Sequence, residues 1–289
     1  MVLDLGAILT AMVTPFDSRG ELDEDVAVRL MDHLLDHGSD GLVLCGTTGE
    51  AATLSDEEKL RLIRLGIQEA RRSHPDATIV AGVGHNDTRH TVELTQRATE
   101  LRPDALLVVN PYYNKPSPKG IIRHFEEVSK ATDLPMVLYN IPQRTAQDMP
   151  NDLLSELAQI DKVVAVKQAN PQNLARVEGL AIYAGNDDLL AEVLDLGEPG
   201  GVLVASHVVG EQMRRMVDEP DRRHEIDQSL RDVYRELAVA PLACSVKTAL
   251  SFMGIDVGIP RLPYVELDES ERETIRRLLD RHGLLATAA

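Results

Sequence analysis

Lys167 closes the apolar run Val163-Val164-Ala165-Val166, so it stands where a buried strand should end. An ammonium in that position is partly desolvated, which favours the neutral amine and makes it a nucleophile toward a carbonyl carbon. The placement suggests Schiff-base chemistry, with a solvated or salt-bridged surface lysine as the alternative reading. Tyr139 closes the run from Met136 in the same way. Its phenol is either a core group with a satisfied hydroxyl or a shuttle for the protons that carbinolamine formation and dehydration require. Adjacent strands lie ~4.8 Å apart, so two strand ends at matching heights can hold an amine and a phenol around one carbon. Arg144 follows on the loop beyond Tyr139, where a guanidinium can take a carboxylate in two parallel hydrogen bonds or make a surface ion pair. Gly46-Thr47-Thr48-Gly49-Glu50 follows another apolar run. It can offer backbone N–H groups and two hydroxyls to a small carboxylate, although an ordinary turn has the same composition. Phosphate is disfavoured, because no Walker-type lysine follows and Gly200-Gly201 precede the last apolar run instead of following it. Amine, phenol, hydroxyls and guanidinium together suggest an enzyme acting on small keto acids without metal or cofactor.

Eight short apolar runs must position these groups: 7–13, 41–45, 78–81, 105–109, 136–139, 163–166, 181–184 and 202–205. Most are apolar nearly throughout, as expected of strands covered on both faces, and amphipathic stretches separate them. Helix starts are signalled at Asp23, at Ser55 with Glu58 three residues on, at Asn151, and at Asp268 with Glu271. From about Gly210 only helical periodicity remains, interrupted by residues 254–263. The pattern predicts an α/β fold, a (β/α)8 TIM barrel over residues 1–225 with a C-terminal helical extension over 226–289. A doubly wound open sheet is weaker, since Thr14-Pro15-Phe16 stands where a glycine-rich dinucleotide turn would open.

The 289 residues are 43% hydrophobic and 27% charged, the balance of a globular protein, and with no Trp the core must be aliphatic. A formal net charge of −17 without a compact basic cluster argues against nucleic-acid binding. Cys45 and Cys244 are far apart and outside any zinc or CxxC spacing, which fits a reducing compartment. The first residues lack a basic leader, and no segment approaches the ~20 apolar residues of a membrane span. A cytoplasmic protein without membrane partners is expected.

The chain resembles the dihydrodipicolinate synthase branch of the pyruvate-dependent class I lyase family over nearly its whole length. The motifs that carry the likeness are 46–50, Pro111-Tyr112-Tyr113-Asn114-Lys115-Pro116, Leu138-Tyr139-Asn140-Ile141-Pro142-Gln143-Arg144-Thr145 and Val166-Lys167. The resemblance implies that Lys167 forms a Schiff base with pyruvate. Tyr139, Thr48 and Tyr113 would relay protons, with Tyr113 reaching in from a neighbouring subunit of a dimer-of-dimers homotetramer. Thr47 and Thr48 would hold the pyruvate carboxylate, and Gly185 and Leu203 would also contact substrate. Arg144 would receive L-aspartate-4-semialdehyde, in lysine and diaminopimelate biosynthesis. Sister sugar-acid aldolases and neuraminate lyases share the lysine and tyrosine, but Thr47-Thr48, Tyr112-Tyr113 and Arg144 favour the synthase. A silent regulatory barrel is a rival from another class.

Three departures stand out. Gln168-Ala169-Asn170 follows Lys167 where the family usually has an acidic residue, and Asn186 replaces a common aspartate. The segment from Pro241 to Lys247 departs from the frequent Asn-Pro-x-Pro-x-Lys pattern. At the positions where lysine-sensitive relatives bind feedback lysine, Asn86 and Tyr112 match, whereas Asp56, Lys59 and His90 differ. An effector ammonium would be repelled by Lys59, so weak or absent lysine inhibition is expected.

Overall fold

The computed structural model describes residues 4–286. Its eight strands are β1 Ile8–Ala11, β2 Gly41–Leu44, β3 Thr78–Gly82, β4 Ala105–Val109, β5 Met136–Asn140, β6 Val163–Gln168, β7 Ala181–Ala184 and β8 Gly200–Leu203. All neighbours are parallel, and β1 pairs with β8 to close the barrel. The runs lack polar alternation because one face meets the barrel interior and the other meets helices, so nearly every strand residue is buried.

Several helices begin where a side chain satisfies a free N–H group of the first turn. Asp23 caps α1 (Glu24–Asp36) by accepting from Val26 N. Ser55 and Glu58 form a reciprocal capping box on α2 (Asp56–Ser73), and Asp87 caps α3 (Thr88–Leu101). Ser117 caps α4 (Pro118–Ser129), after which come the single turn α5 (Pro142–Thr145) and α6 (Asn151–Leu157). The short α7 (Leu190–Asp195) and α8 (Ser206–Asp218) complete the barrel's outer ring. Beyond it, α9 (Arg223–Leu237) packs against α8 and α11 (Glu269–Arg281), and α10 (Leu242–Phe252) packs against α8 and α11. The expected division after residue 225 therefore falls inside the first turn of α9, and the extremes of the two expected units, residues 1–3 and 287–289, lie outside the described residues.

Expected limits move on six strands: β1 is Ile8–Ala11 instead of 7–13, β2 ends at Leu44 instead of Cys45, and β3 runs on to Gly82. β5 and β6 each run past their expected ends, because Asn140 and Gln168 continue the ladder as register partners. β8 begins at Gly200 and ends at Leu203, so Gly200-Gly201 open the strand instead of preceding it, and Val204 and Ala205 lie beyond it. The backbone explains this: a Cβ on Gly200 would lie 1.9 Å from Ala7 O, and Gly201 N donates to that same carbonyl at 2.8 Å. Glycine lets β1 and β8 approach closely enough to close the ring.

Candidate active site

Parallel register places Tyr139 of β5 directly opposite Lys167 of β6. Alternation along a strand then turns both side chains toward the same face. The Lys167 nitrogen stands 4.4 Å from the centroid of the Tyr139 ring, and each residue is 4% exposed. Burial is the main cause that pulls the Lys167 ammonium down to about 8; the Arg144 charge lowers it further, while Asp187 opposes both. The lysine therefore keeps an appreciable neutral fraction near neutral pH, as a nucleophile requires. Burial pushes the Tyr139 phenol up to about 12, against the charge of Arg144 and the hydroxyl of Thr47. The phenol is thus protonated throughout the physiological range and can serve as a proton donor.

Thr47, not Thr48, is the threonine at the phenol. Thr47 is half-buried and lines the cavity beside Tyr139, whereas Thr48 is 7% exposed and off that wall. The geometry thus sets Thr47, and not Thr48, beside the phenol. The loop is tightly shaped: Cys45 and Glu50 both take left-handed backbone angles, φ 58° and 56°, and the Thr14 hydroxyl donates to Gly49 O at 2.6 Å.

Arg144 is presented by α5, a turn started by Pro142, whose fixed φ suits the first helical position. Thr47, Tyr139 and Arg144 share the wall of a cavity of about 690 Å³, a size suited to small-molecule ligands. Lys167 is not on that wall but behind it, against the Tyr139 ring. The same cavity is also lined by Asp56, Lys59, His85, His90 and Tyr112, where Asp56 meets His90 Nε2 at 2.7 Å and Lys59 at 3.5 Å.

Tyr113 is not brought into the site of its own chain. It is 86% exposed, with φ 74°, a left-handed conformation that points to an imposed geometry for a bulky residue. Gly185 sits at the end of β7 beside Lys167's strand, donating to Gln168 O at 2.8 Å; a Cβ there would lie 2.7 Å from Ala169 N. Leu203 ends β8 fully buried, paired with Thr10. Neither Gly185 nor Leu203 is on the cavity wall.

Gln168, the departure next to the lysine, is fully buried, and its Oε1 accepts from Asn140 Nδ2 and Asn170 N, both at 3.0 Å. It therefore ties the ends of β5 and β6 together from the opposite face. Sequence reasoning missed Asp187. Its carboxylate accepts from Val204 N at 2.8 Å and Ala205 N at 3.0 Å, and its charge acts to raise the Lys167 pKa. Burial pushes the Asp187 carboxyl up, against those N–H donors. Its place after β7 was a signal available in the string. Among the described residues no group of three or more His, Cys, Asp and Glu side chains is disposed to hold a metal ion, and no helix is long and apolar enough to cross a membrane.

Comparison with known proteins extends this geometry. Residues 4–282 match the dihydrodipicolinate synthetase family. The 4-hydroxy-tetrahydrodipicolinate synthase of Desulforudis audaxviator is 41% identical, over 99% of this chain and 100% of its own length. A dihydrodipicolinate synthase structure from Cyanidioschyzon merolae with lysine bound superposes with a TM-score of 0.93 at 36% identity, covering 97% of this chain and 99% of that one. The chloride-inhibited dihydrodipicolinate synthase of Acinetobacter baumannii complexed with pyruvate gives 0.92 at 32% identity, covering 97% and 100%.

Proposed function

The chain belongs to the dihydrodipicolinate synthetase family, and on that premise we propose that it acts as a 4-hydroxy-tetrahydrodipicolinate synthase, joining pyruvate to L-aspartate-4-semialdehyde. The observation that carries the reading is the buried Lys167 amine, held at 4.4 Å over the Tyr139 ring with its pKa brought down to about 8.

The neutral Lys167 amine adds to C2 of pyruvate, giving a carbinolamine that loses water to an iminium. Removal of a C3 proton yields the enamine. Enamine C3 attacks the aldehyde carbon of the second substrate, and the aldehyde oxygen takes a proton. The substrate's own amine then adds to the iminium carbon and displaces Lys167, closing the ring. Tyr139 is suited to give and recover the protons of these steps, with Thr47 as its hydroxyl partner and Tyr113 of a second copy as the next link. Thr47, and Thr48 through its backbone N–H in the β2 loop, hold the keto-acid carboxylate. Arg144, on the same wall, takes the carboxylate of the aldehyde substrate.

The exposure of Tyr113 supports a site completed by a second copy, hence a dimer or a dimer of dimers. Two free, buried cysteines fit a cytoplasmic setting. The division into a catalytic barrel, residues 1–225, and a helical unit, 226–289, is retained as a description of roles.

Borohydride reduction in the presence of pyruvate, followed by intact mass, tests the reading. A single pyruvate adduct that disappears in Lys167→Ala is expected, together with turnover of pyruvate plus aspartate-4-semialdehyde that exceeds sugar-acid cleavage. No adduct on the wild-type protein would overturn the Schiff-base assignment, and preferential sugar-acid cleavage would move the chain to the sister aldolases.

A further inference from the structure

The β2 loop that carries Thr47 is fastened from outside the barrel. Glu50 ends that loop and is 2% exposed; its Oε1 lies 2.7 Å from Lys247 Nζ of α10, a residue 3% exposed. Glu50 Oε2 accepts the Arg261 backbone N–H at 2.8 Å, from a position 211 residues further along. Lys247 also donates to Ile259 O at 3.2 Å, and both Lys247 and Arg261 stand 4.2 Å over the ring of Phe16, on the β1–α1 loop. The Phe16 backbone in turn donates to Val257 O at 3.1 Å. The Arg261 guanidinium continues outward to Glu58 and the Thr53 carbonyl. A buried ion pair of this kind is costly to desolvate, so it contributes less to stability than to fixing one arrangement. Here the arrangement it fixes includes the left-handed backbone of Glu50, three residues beyond Thr47.

We propose that Glu50, Lys247 and Arg261 are positioning residues through which the C-terminal extension holds the Thr47 loop against the bound keto acid, so that Lys247 sets pyruvate affinity without touching substrate. This rests on the functional reading above. The extension is thereby a working part of the site and not only a cover for the barrel's outer helices.

The test measures the pyruvate KM, kcat and thermal midpoint of Lys247→Met and Glu50→Gln. A rise of roughly tenfold in pyruvate KM, short of the hundredfold that a 1 Å misplacement of reacting groups can cost, is expected with a much smaller fall in kcat. Lys247→Arg should recover most of the affinity. Glu69→Gln, which breaks the Glu69–Arg72 pair in the last turns of α2, should lower the thermal midpoint and leave KM alone. An unchanged KM in any folded variant overturns the proposal, even if stability falls. Should no variant fold, hydrogen exchange on the wild-type enzyme decides: peptides covering 46–50 and 256–261 should gain protection together when pyruvate is added, and a silent C-terminal peptide overturns the proposal. The wild-type borohydride adduct is read in parallel. Its absence indicts the functional reading, whereas its presence with an unmoved KM indicts only the positioning role.

Discussion

Tyr139 and Lys167 are register partners on adjacent parallel strands, and the amine faces the ring at 4.4 Å. The pair divides the protonation work: the lysine is brought down to about 8 and the phenol pushed up to about 12. At neutral pH the amine is partly free to attack while the phenol still holds its proton. Adduct formation with pyruvate should therefore rise with pH and reach half its maximum near about 8. Tyr139→Phe should slow it by about 10²–10⁴-fold, the usual contribution of a positioned acid or base. Rapid quench with borohydride across pH 6 to 10 (roughly the span of the amine's titration) measures both. A profile centred near the ordinary lysine value would refute the desolvation argument.

Thr47→Val should cost far more than Thr48→Val, because only Thr47 is both on the cavity wall and beside the phenol. Losing a hydrogen bond to a charged or developing-charge partner costs about 1.5–3 kcal/mol, or roughly 10- to 150-fold in kcat/KM. Steady-state kinetics on the two variants decides between them, and equal losses would return Thr48 to the relay.

Arg144→Ala should act twice. Loss of the carboxylate partner raises the KM for aspartate-4-semialdehyde, again by about 10- to 150-fold. Loss of the positive charge also removes one of the causes that lower the Lys167 pKa, so the pH profile of adduct formation should move to the alkaline side. A shift toward acid, or no shift, would show that Arg144 is too screened to be felt by the amine.

Acid should destabilise the fold before its carboxylates titrate. Burial holds His207 and His124 down at about 4; His207 accepts Val13 N–H at 3.1 Å and donates to Val204 O at 2.8 Å, and it can do both only while neutral. Because the unfolded state takes up these protons near 6.5 and the folded state only near 4, stability falls as pH drops through that window. Each histidine contributes up to about 3 kcal/mol to the loss. Urea midpoints at pH 7 and pH 5 (about the middle of the window) read the effect, and His207→Gln should reduce it.

Lysine should be a poor effector. Asp56 is already engaged by His90 at 2.7 Å and by Lys59, and a ligand ammonium would meet the Lys59 charge in the same cavity. Less than half inhibition at about 1 mM lysine is expected in a steady-state assay, equivalent to binding weaker than about −4 kcal/mol. Near-complete inhibition at that concentration would contradict the reading.

Much of the site was legible because strands announce their ends. Lys167 and Tyr139 could be placed at the rim since an uninterrupted apolar run marks a strand buried on both faces, and the first polar group after it must lie near an opening. Arg144 was legible for the same reason, as part of the segment that follows β5. The loop groups were harder. Thr47 and Thr48 are adjacent and chemically identical, and a loop has no period from which to read which hydroxyl faces inward. Asp187 was overlooked because its carboxylate is satisfied by backbone N–H groups of the next strand's end, a contact with no local signature.

The string of residues by itself determined the eight-stranded barrel, its helical extension, and the identity of the amine, phenol and guanidinium at the rim, because local apolar patterning and capping residues specify elements one at a time. Only the tertiary structure decided which of these groups meet. Barrel closure sets the register that puts Tyr139 opposite Lys167, turns Thr47 and not Thr48 to the phenol, and leaves Tyr113 facing outward. The same closure brings Lys247 and Arg261 of the extension to Glu50. Such long-range pairings depend on how strands shear and helices pack around the ring, and that geometry is a property of the assembled chain, not of any segment in it.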